Sequence, residues 1–159
     1  MDPDRLIALL PLAEPTGTRH VGANDVDNIE AFAAALARQD YMGDTGWSRA
    51  AAVAQLRAAL LLLEAQVPAA VRPRLLVATG SLALMAGYLS FQADDHDAAR
   101  RLWAVGLDLA HDSGDPRGAD LTVYLLYDMG LQAVELDRPD EALRFVQLGH
   151  TSLPRGHSR

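Results

Sequence analysis

Gly87-Tyr88-Leu89-Ser90-Phe91-Gln92-Ala93-Asp94-Asp95-His96-Asp97-Ala98-Ala99-Arg100-Arg101-Leu102-Trp103-Ala104-Val105-Gly106 is echoed forty-three residues later, from Gly130 to Gly149. Across residues 80–110 and 123–153 the identical pairs are Leu82/Leu125, Gly87/Gly130, Asp94/Asp137, Asp97/Asp140, Ala99/Ala142, Arg101/Arg144 and Gly106/Gly149. Each copy reads as a helix, a short acidic turn and a second helix. A repeat of this length is a supersecondary unit that buries its apolar face only by stacking on a neighbour. The expected fold is therefore all-α: antiparallel helical hairpins stacked as a short array.

Gly87 and Gly130 fall inside expected helices, where glycine costs about 1 kcal/mol against alanine. Close approach of a neighbouring helix offsets that cost most simply. Ala99 and Ala142 lie four residues before a bulky residue, Trp103 in one copy and Val146 in the other. Small residues opposite large ones interdigitate. This makes Trp103 a packing residue, whereas Trp47 in a turn before a helix reads as a cap on the amino-terminal end.

Outward from the repeat, helical patterns continue in both directions. Residues 4–12 read as a short helix ended by Pro11 and Pro15. Asn24 reads as the N-cap of a helix reaching Tyr41, with Val26, Ile29, Phe32, Ala33 and Leu36 at helical spacing. A second helix spans residues 48–67. Residues 75–93 carry no charge. Their length approaches a membrane span, but Thr79, Gly80, Ser81, Gly87, Ser90 and Gln92 interrupt them. A helix surrounded by protein is the better reading. Gly114 marks the end of the next helix, and Asp115-Pro116 caps the one after. Pro139 opens the last. The whole of 1–159 reads as one domain, with a capping hairpin at 24–67 and repeats at 75–113 and 115–153.

Composition narrows function mainly by exclusion. The net charge is −7, all fourteen basic residues are arginine, and there is no cysteine. An acidic chain repels phosphate backbones, so direct nucleic-acid binding is not expected. Arg72/Arg74 and Arg100-Arg101 read as solvated helix faces. Thiolate chemistry and cysteine zinc sites are excluded. Asp2 and Asp4 precede the apolar Leu6–Leu12 stretch and no small-residue cleavage site follows, so a cytoplasmic, non-membrane protein is expected. No catalytic motif occurs: G-x-S-x-G, a phosphate loop and a dinucleotide loop are all missing. His96 among Asp94, Asp95 and Asp97 reads as a solvated turn at a helix start. No enzyme activity, metal or cofactor is expected.

The repeat's spacing resembles the tetratricopeptide repeat, which has glycine at its eighth position, alanine at the twentieth, a bulky residue at the twenty-fourth and a small one at the twenty-seventh. Gly87, Ala99, Trp103 and Gly106 match, as do Gly130, Ala142, Val146 and Gly149. The tyrosine expected three residues after the glycine is Ser90 or Ala133, and the period exceeds thirty-four. Arg19-His20-Val21-Gly22-Ala23-Asn24-Asp25-Val26 with Ile29, Leu84-Met85-Ala86-Gly87-Tyr88, Asp97-Ala98-Ala99-Arg100-Arg101 and Glu141-Ala142-Leu143 are similar to segments of actinobacterial regulators. Those regulators join an Xre-type, lambda-repressor-like helix-turn-helix to a helical-repeat effector region.

That resemblance implies a sensor or interaction region of a transcriptional regulator, as a fragment or a stand-alone relative. The alternative is an adaptor with no sensing role. On the repeat register, a groove is lined by Ser81, Leu84, Tyr88 and Phe91 from one copy and by Tyr124, Tyr127, Leu131 and Glu135 from the next. Core filling by the same aromatic residues is the competing reading. Expected partners are a peptide, a small-molecule signal or a protein, with a homodimer among the outcomes, because two copies alone leave apolar faces bare.

Overall fold

The computed structural model describes residues 20–40 and 45–152. Within them lie six helices: α1 (Ala23–Asp40), α2 (Thr45–Leu63), α3 (Arg72–Gln92), α4 (His96–Ser113), α5 (Pro116–Glu135) and α6 (Pro139–Ser152). The described residues are helical apart from turns and one isolated bridge between His20 and Gln66. The all-α expectation holds. The helix expected over residues 4–12 lies outside the described residues.

Local chemistry sets most helix ends. Asp95 caps α4 by accepting from the Ala98 N–H at 3.1 Å, and Gly114 closes α4 in the left-handed region at φ 61°. Asp115 caps α5 by accepting from the Arg117 N–H at 2.9 Å. Arg117 also holds the Asp115 carboxyl down at about 2 through side-chain and backbone hydrogen bonds. Asn24, the expected cap of α1, is already helical. Instead the Asp25 carboxylate reaches back to the Gly22 N–H at 2.9 Å, the reciprocal half of a capping box. α2 ends at Leu63, four residues earlier than expected, and Trp47 lies within its first turn.

The two acidic turns are copies in three dimensions. Asp94 and Asp137 are the two described non-glycine residues with positive φ, at 59° and 55°. Asp95 N–H donates to the Ser90 carbonyl and Arg138 N–H to the Ala133 carbonyl; Asp94 and Asp137 donate to Phe91 and Val134. These are the paired bonds of a Schellman closure, with aspartate where glycine is usual. All eight residues stand in forty-three-residue register, so the echo reports a shared backbone conformation.

α3 is the hub. It packs against α1, α2, α4 and α5. One core joins Val26, Ile29, Leu36, Leu56, Leu75, Leu82 and Leu89 across α1, α2 and α3. A second joins Val77, Trp103, Leu121, Leu125 and Met129 across α3, α4 and α5. A helix serving two cores has little room for charge, which accounts for the uncharged stretch. Its buried hydroxyls are satisfied internally: Thr79 donates to the Leu75 carbonyl and Ser90 to that of Ala86, both at 2.8 Å. By length and composition α3 is also the one described helix able to cross a membrane, but 67% of its apolar window is buried inside the protein.

Close approach occurs at Gly87. A Cβ there would fall inside the Trp103 indole, 2.9 Å from Cε2. Trp103 is fully buried and its Nε1 donates to the Leu84 carbonyl at 3.2 Å. The matching expectation at Gly130 fails: the nearest atoms to a Cβ there are Phe145 Cβ at 3.8 Å and the Ala142 carbonyl oxygen at 4.0 Å, ordinary contact. Val146, expected to fill the Trp103 role, is 64% exposed. Phe145 packs against the second core instead.

The arginines read as solvated faces include inter-helix clamps. Arg74 bonds Asp27 at 2.6 Å and Glu30 at 3.0 Å, tying α3 to α1. Arg100 bonds Gln132 at 2.7 Å and Glu141 at 2.6 Å, tying α4 to α5 and α6. Each partner lies more than thirty residues away in sequence, which is why charge patterning along one helix did not find it.

Candidate functional site

The eight residues expected in a groove divide by helix. On α3, Ser81, Leu84, Tyr88 and Phe91 are half-buried. Ser81 donates its hydroxyl to the Val77 carbonyl at 3.0 Å, and Tyr88 accepts from Gln92 Nε2 at 2.9 Å. Leu84 and Phe91 pack against the second core, and the Phe91 ring lies 6.0 Å from that of Trp103, tilted by 50°. These two are packing residues first. On α5 the picture reverses. Tyr124 and Tyr127 are each 62% exposed, and Leu131 and Glu135 are exposed.

The exposed stripe extends past the expected set. Val134 is 65% exposed, and Tyr124, Tyr127, Leu131 and Val134 recur at helical spacing on one side of α5. Leu143 and Val146 on α6 are bare as well. The repeat explains which face this is. Tyr127, Val134 and Val146 correspond to Leu84, Phe91 and Trp103, which the first pair of helices presents to α5 and the second core. A face covered in the first copy is open in the second. Val134 was legible through the forty-three-residue offset as the counterpart of Phe91, but the expected set took its neighbour Glu135 instead, and Val146 was read as a packing residue.

Asp128 was also missed. It stands on α5 between Tyr124 and Leu131, one turn from each, half-buried and without a described hydrogen-bond or ion-pair partner. Burial pushes its carboxyl up to about 7. An unfolded aspartate ionises near pH 4, so the folded state holds the extra proton between those values. Its contribution therefore falls as pH rises from about 4 to 7, then levels. Asp128→Asn is expected to leave stability nearly unchanged at pH 4 and to raise it by about 1–2 kcal/mol at pH 8, read by urea denaturation at both pH values.

A separate cavity of about 700 Å³ opens between the end of α4, the start of α5 and Ser152 on α6. Leu107, Asp108, His111, Asp115 and Thr122 help to line it. Three helices contribute, so no local motif could reveal it. Its Asp115 is already engaged by the α5 cap and Arg117.

The exposed α5 face presents aromatic rings with hydroxyl tips, aliphatic neighbours and a half-buried carboxyl whose acidity burial weakens. Compared with family models, curated proteins and solved structures, the chain matches none.

Proposed function

We propose that this chain is a non-catalytic interaction domain: a short tetratricopeptide-like array of stacked helical hairpins that docks a helical protein segment on the α5–α6 face. The observation that carries this reading is the bare stripe of Tyr124, Tyr127, Leu131 and Val134, flanked by Leu143 and Val146. Three counterparts in the first copy, Leu84, Phe91 and Trp103, pack in or against the second core. A surface built to the same pattern suits a helix with an apolar face. Large apolar patches on a protein surface mark interaction sites, and tyrosine is enriched where binding energy concentrates.

Within that reading, the domain serves as the sensor or interaction region of a transcriptional regulator, working in the cytoplasm, with DNA contact left to another module. Support comes from the acidic charge and the segment resemblances to Xre-type regulators. An adaptor without a sensing role uses the same face. The coding sequence upstream of residue 1 separates the two, since an in-frame helix-turn-helix favours the regulator.

The face itself is tested by introducing a photo-crosslinking residue at position 127 in the native host, with position 57 on α2 as control. Crosslinking to a protein, or to a second copy, at 127 and not at 57 is the expected result. Tyr127→Asp with Val146→Asp should abolish the adduct while leaving the circular dichroism spectrum unchanged. Equal labelling from both positions would sink the proposal.

A further inference from the structure

The α3–α4 turn and the end of α5 bring together three groups far apart in sequence. Asp94, His96 and Glu135 each offer one ligand atom, and those atoms lie within 4.8 Å of one another. Two are carboxylates from different copies of the repeat. The third belongs to an imidazole whose Nδ1 is buried without a hydrogen-bond partner. A buried ring nitrogen without a partner is unfavourable unless something occupies its lone pair.

The surroundings hold the ring in place. The His96 carbonyl accepts from Gln132 Nε2 at 2.9 Å, and the ring lies 5.7 Å from that of Phe91. The carboxylates, by contrast, are exposed and come from two different helix junctions. Asp94 follows the last turn of α3 and Glu135 ends α5. Glu135 therefore sits at a negative helix end, while Asp94 lies between the end of α3 and Asp95, the N-cap of α4. Neither takes part in a described ion pair, although Asp95 next door is paired with Arg49. Asp94 also holds a left-handed backbone at φ 59°, where glycine would be cheaper.

We propose that Asp94, His96 and Glu135 form a divalent transition-metal site that staples the first repeat to the second. One neutral nitrogen and two carboxylates suit zinc and its borderline neighbours. Magnesium and calcium take larger, all-oxygen sets. Tetrahedral zinc ligands stand about 3.3 Å apart, from bond lengths near 2.0–2.1 Å. Rotation of the exposed Asp94 and Glu135 side chains supplies the remaining approach, and water completes the coordination. The bound cation would accept the His96 lone pair and neutralise two carboxylates at helix ends. Metal binding would thereby stiffen the junction that sets the angle between the two copies.

The test is calorimetric titration of the chelator-treated full chain with zinc chloride, alongside thermal unfolding. One zinc per chain is expected, raising the melting temperature by about 5–10 °C at a hundredfold excess over Kd. Glu135→Gln, an exposed and nearly isosteric change, should weaken binding about 100-fold or more, the loss that even an outer-shell group can cause. His96→Ala should abolish it. Asp94→Gly and Asp137→Gly form a matched pair, because both relieve the same left-handed backbone. Each should raise the metal-free melting temperature by about 2–4 °C, and only Asp94→Gly should lose zinc affinity. No zinc uptake below millimolar concentration would overturn the proposal. So would wild-type affinity in Glu135→Gln, which would place the ion on other histidines.

Discussion

Gly87→Ala is expected to destabilise the protein by about 2–3 kcal/mol, while Gly130→Ala stabilises it by about 0.5–1 kcal/mol. The two positions are equivalent in sequence, and helix propensity alone predicts a gain at both. The sign is decided by what faces each glycine. At Gly87 an added methyl meets the Trp103 indole, a rigid ring anchored by its bond to the Leu84 carbonyl and buried against Phe91. Neither ring nor backbone can yield cheaply, so overpacking outweighs the propensity gain. At Gly130 the nearest atoms are 3.8 Å away and the methyl fits. Trp103→Ala should cost about 3–5 kcal/mol through lost burial and the cavity left behind. In that background Gly87→Ala should become nearly harmless. Urea denaturation of the four proteins in the cycle checks the coupling. Additive effects at 87 and 103 would mean that the contact does not limit packing.

Gln132→Leu should destabilise by about 2–3 kcal/mol although it preserves volume and increases apolarity. Gln132 is 1% exposed and ties α5 to α4 twice: its Oε1 accepts from Arg100 and its Nε2 donates to the His96 carbonyl. Leucine leaves that carbonyl without its side-chain donor and removes one of the two anchors of Arg100. The matching residue in the first copy is Leu89, buried in an apolar core, so side-chain shape is not the obstacle. Arg100 keeps Glu141 at 2.6 Å and still stacks over Phe145, with 5.4 Å from its guanidinium carbon to the ring centroid. The loss should therefore stay below that of Trp103→Ala. Chemical denaturation gives the magnitude, and faster hydrogen exchange at the start of α4 would locate it at the α4–α5 junction.

Among the elements, those with a local cause were legible. Asp95, Gly114 and Asp115-Pro116 announced their helix ends because caps act within a few residues. The uncharged run of α3 announced burial because a helix in two cores cannot afford an exposed face. The boundary of α1 was misplaced by two residues, since Asp25 and Asn24 both carry side chains able to cap and only geometry selects between them. The candidate site was half legible. Tyr124 and Tyr127 were placed by helical spacing and are exposed; Leu84 and Phe91 had the same spacing and became core. Spacing specifies which residues share a face, not whether another helix covers it.

The sequence by itself determined the repeat and its two matched turns, and marked Gly87 and Trp103 as packing positions, because each follows from short-range periodicity and the size of a side chain. Only the tertiary structure decided the rest. Arg74 and Arg100 became clamps when helices from distant parts of the chain brought Glu30 and Glu141 within reach. Asp128 became a weak acid when its surroundings displaced water without supplying a partner. Glu135, expected on a groove, came to stand beside Asp94 and His96 when α5 packed near the α3–α4 turn. The two copies are alike in backbone but unlike in exposure, because only the first has a neighbour stacked upon it. That asymmetry of contact, which local sequence does not encode, is what opens the α5–α6 face.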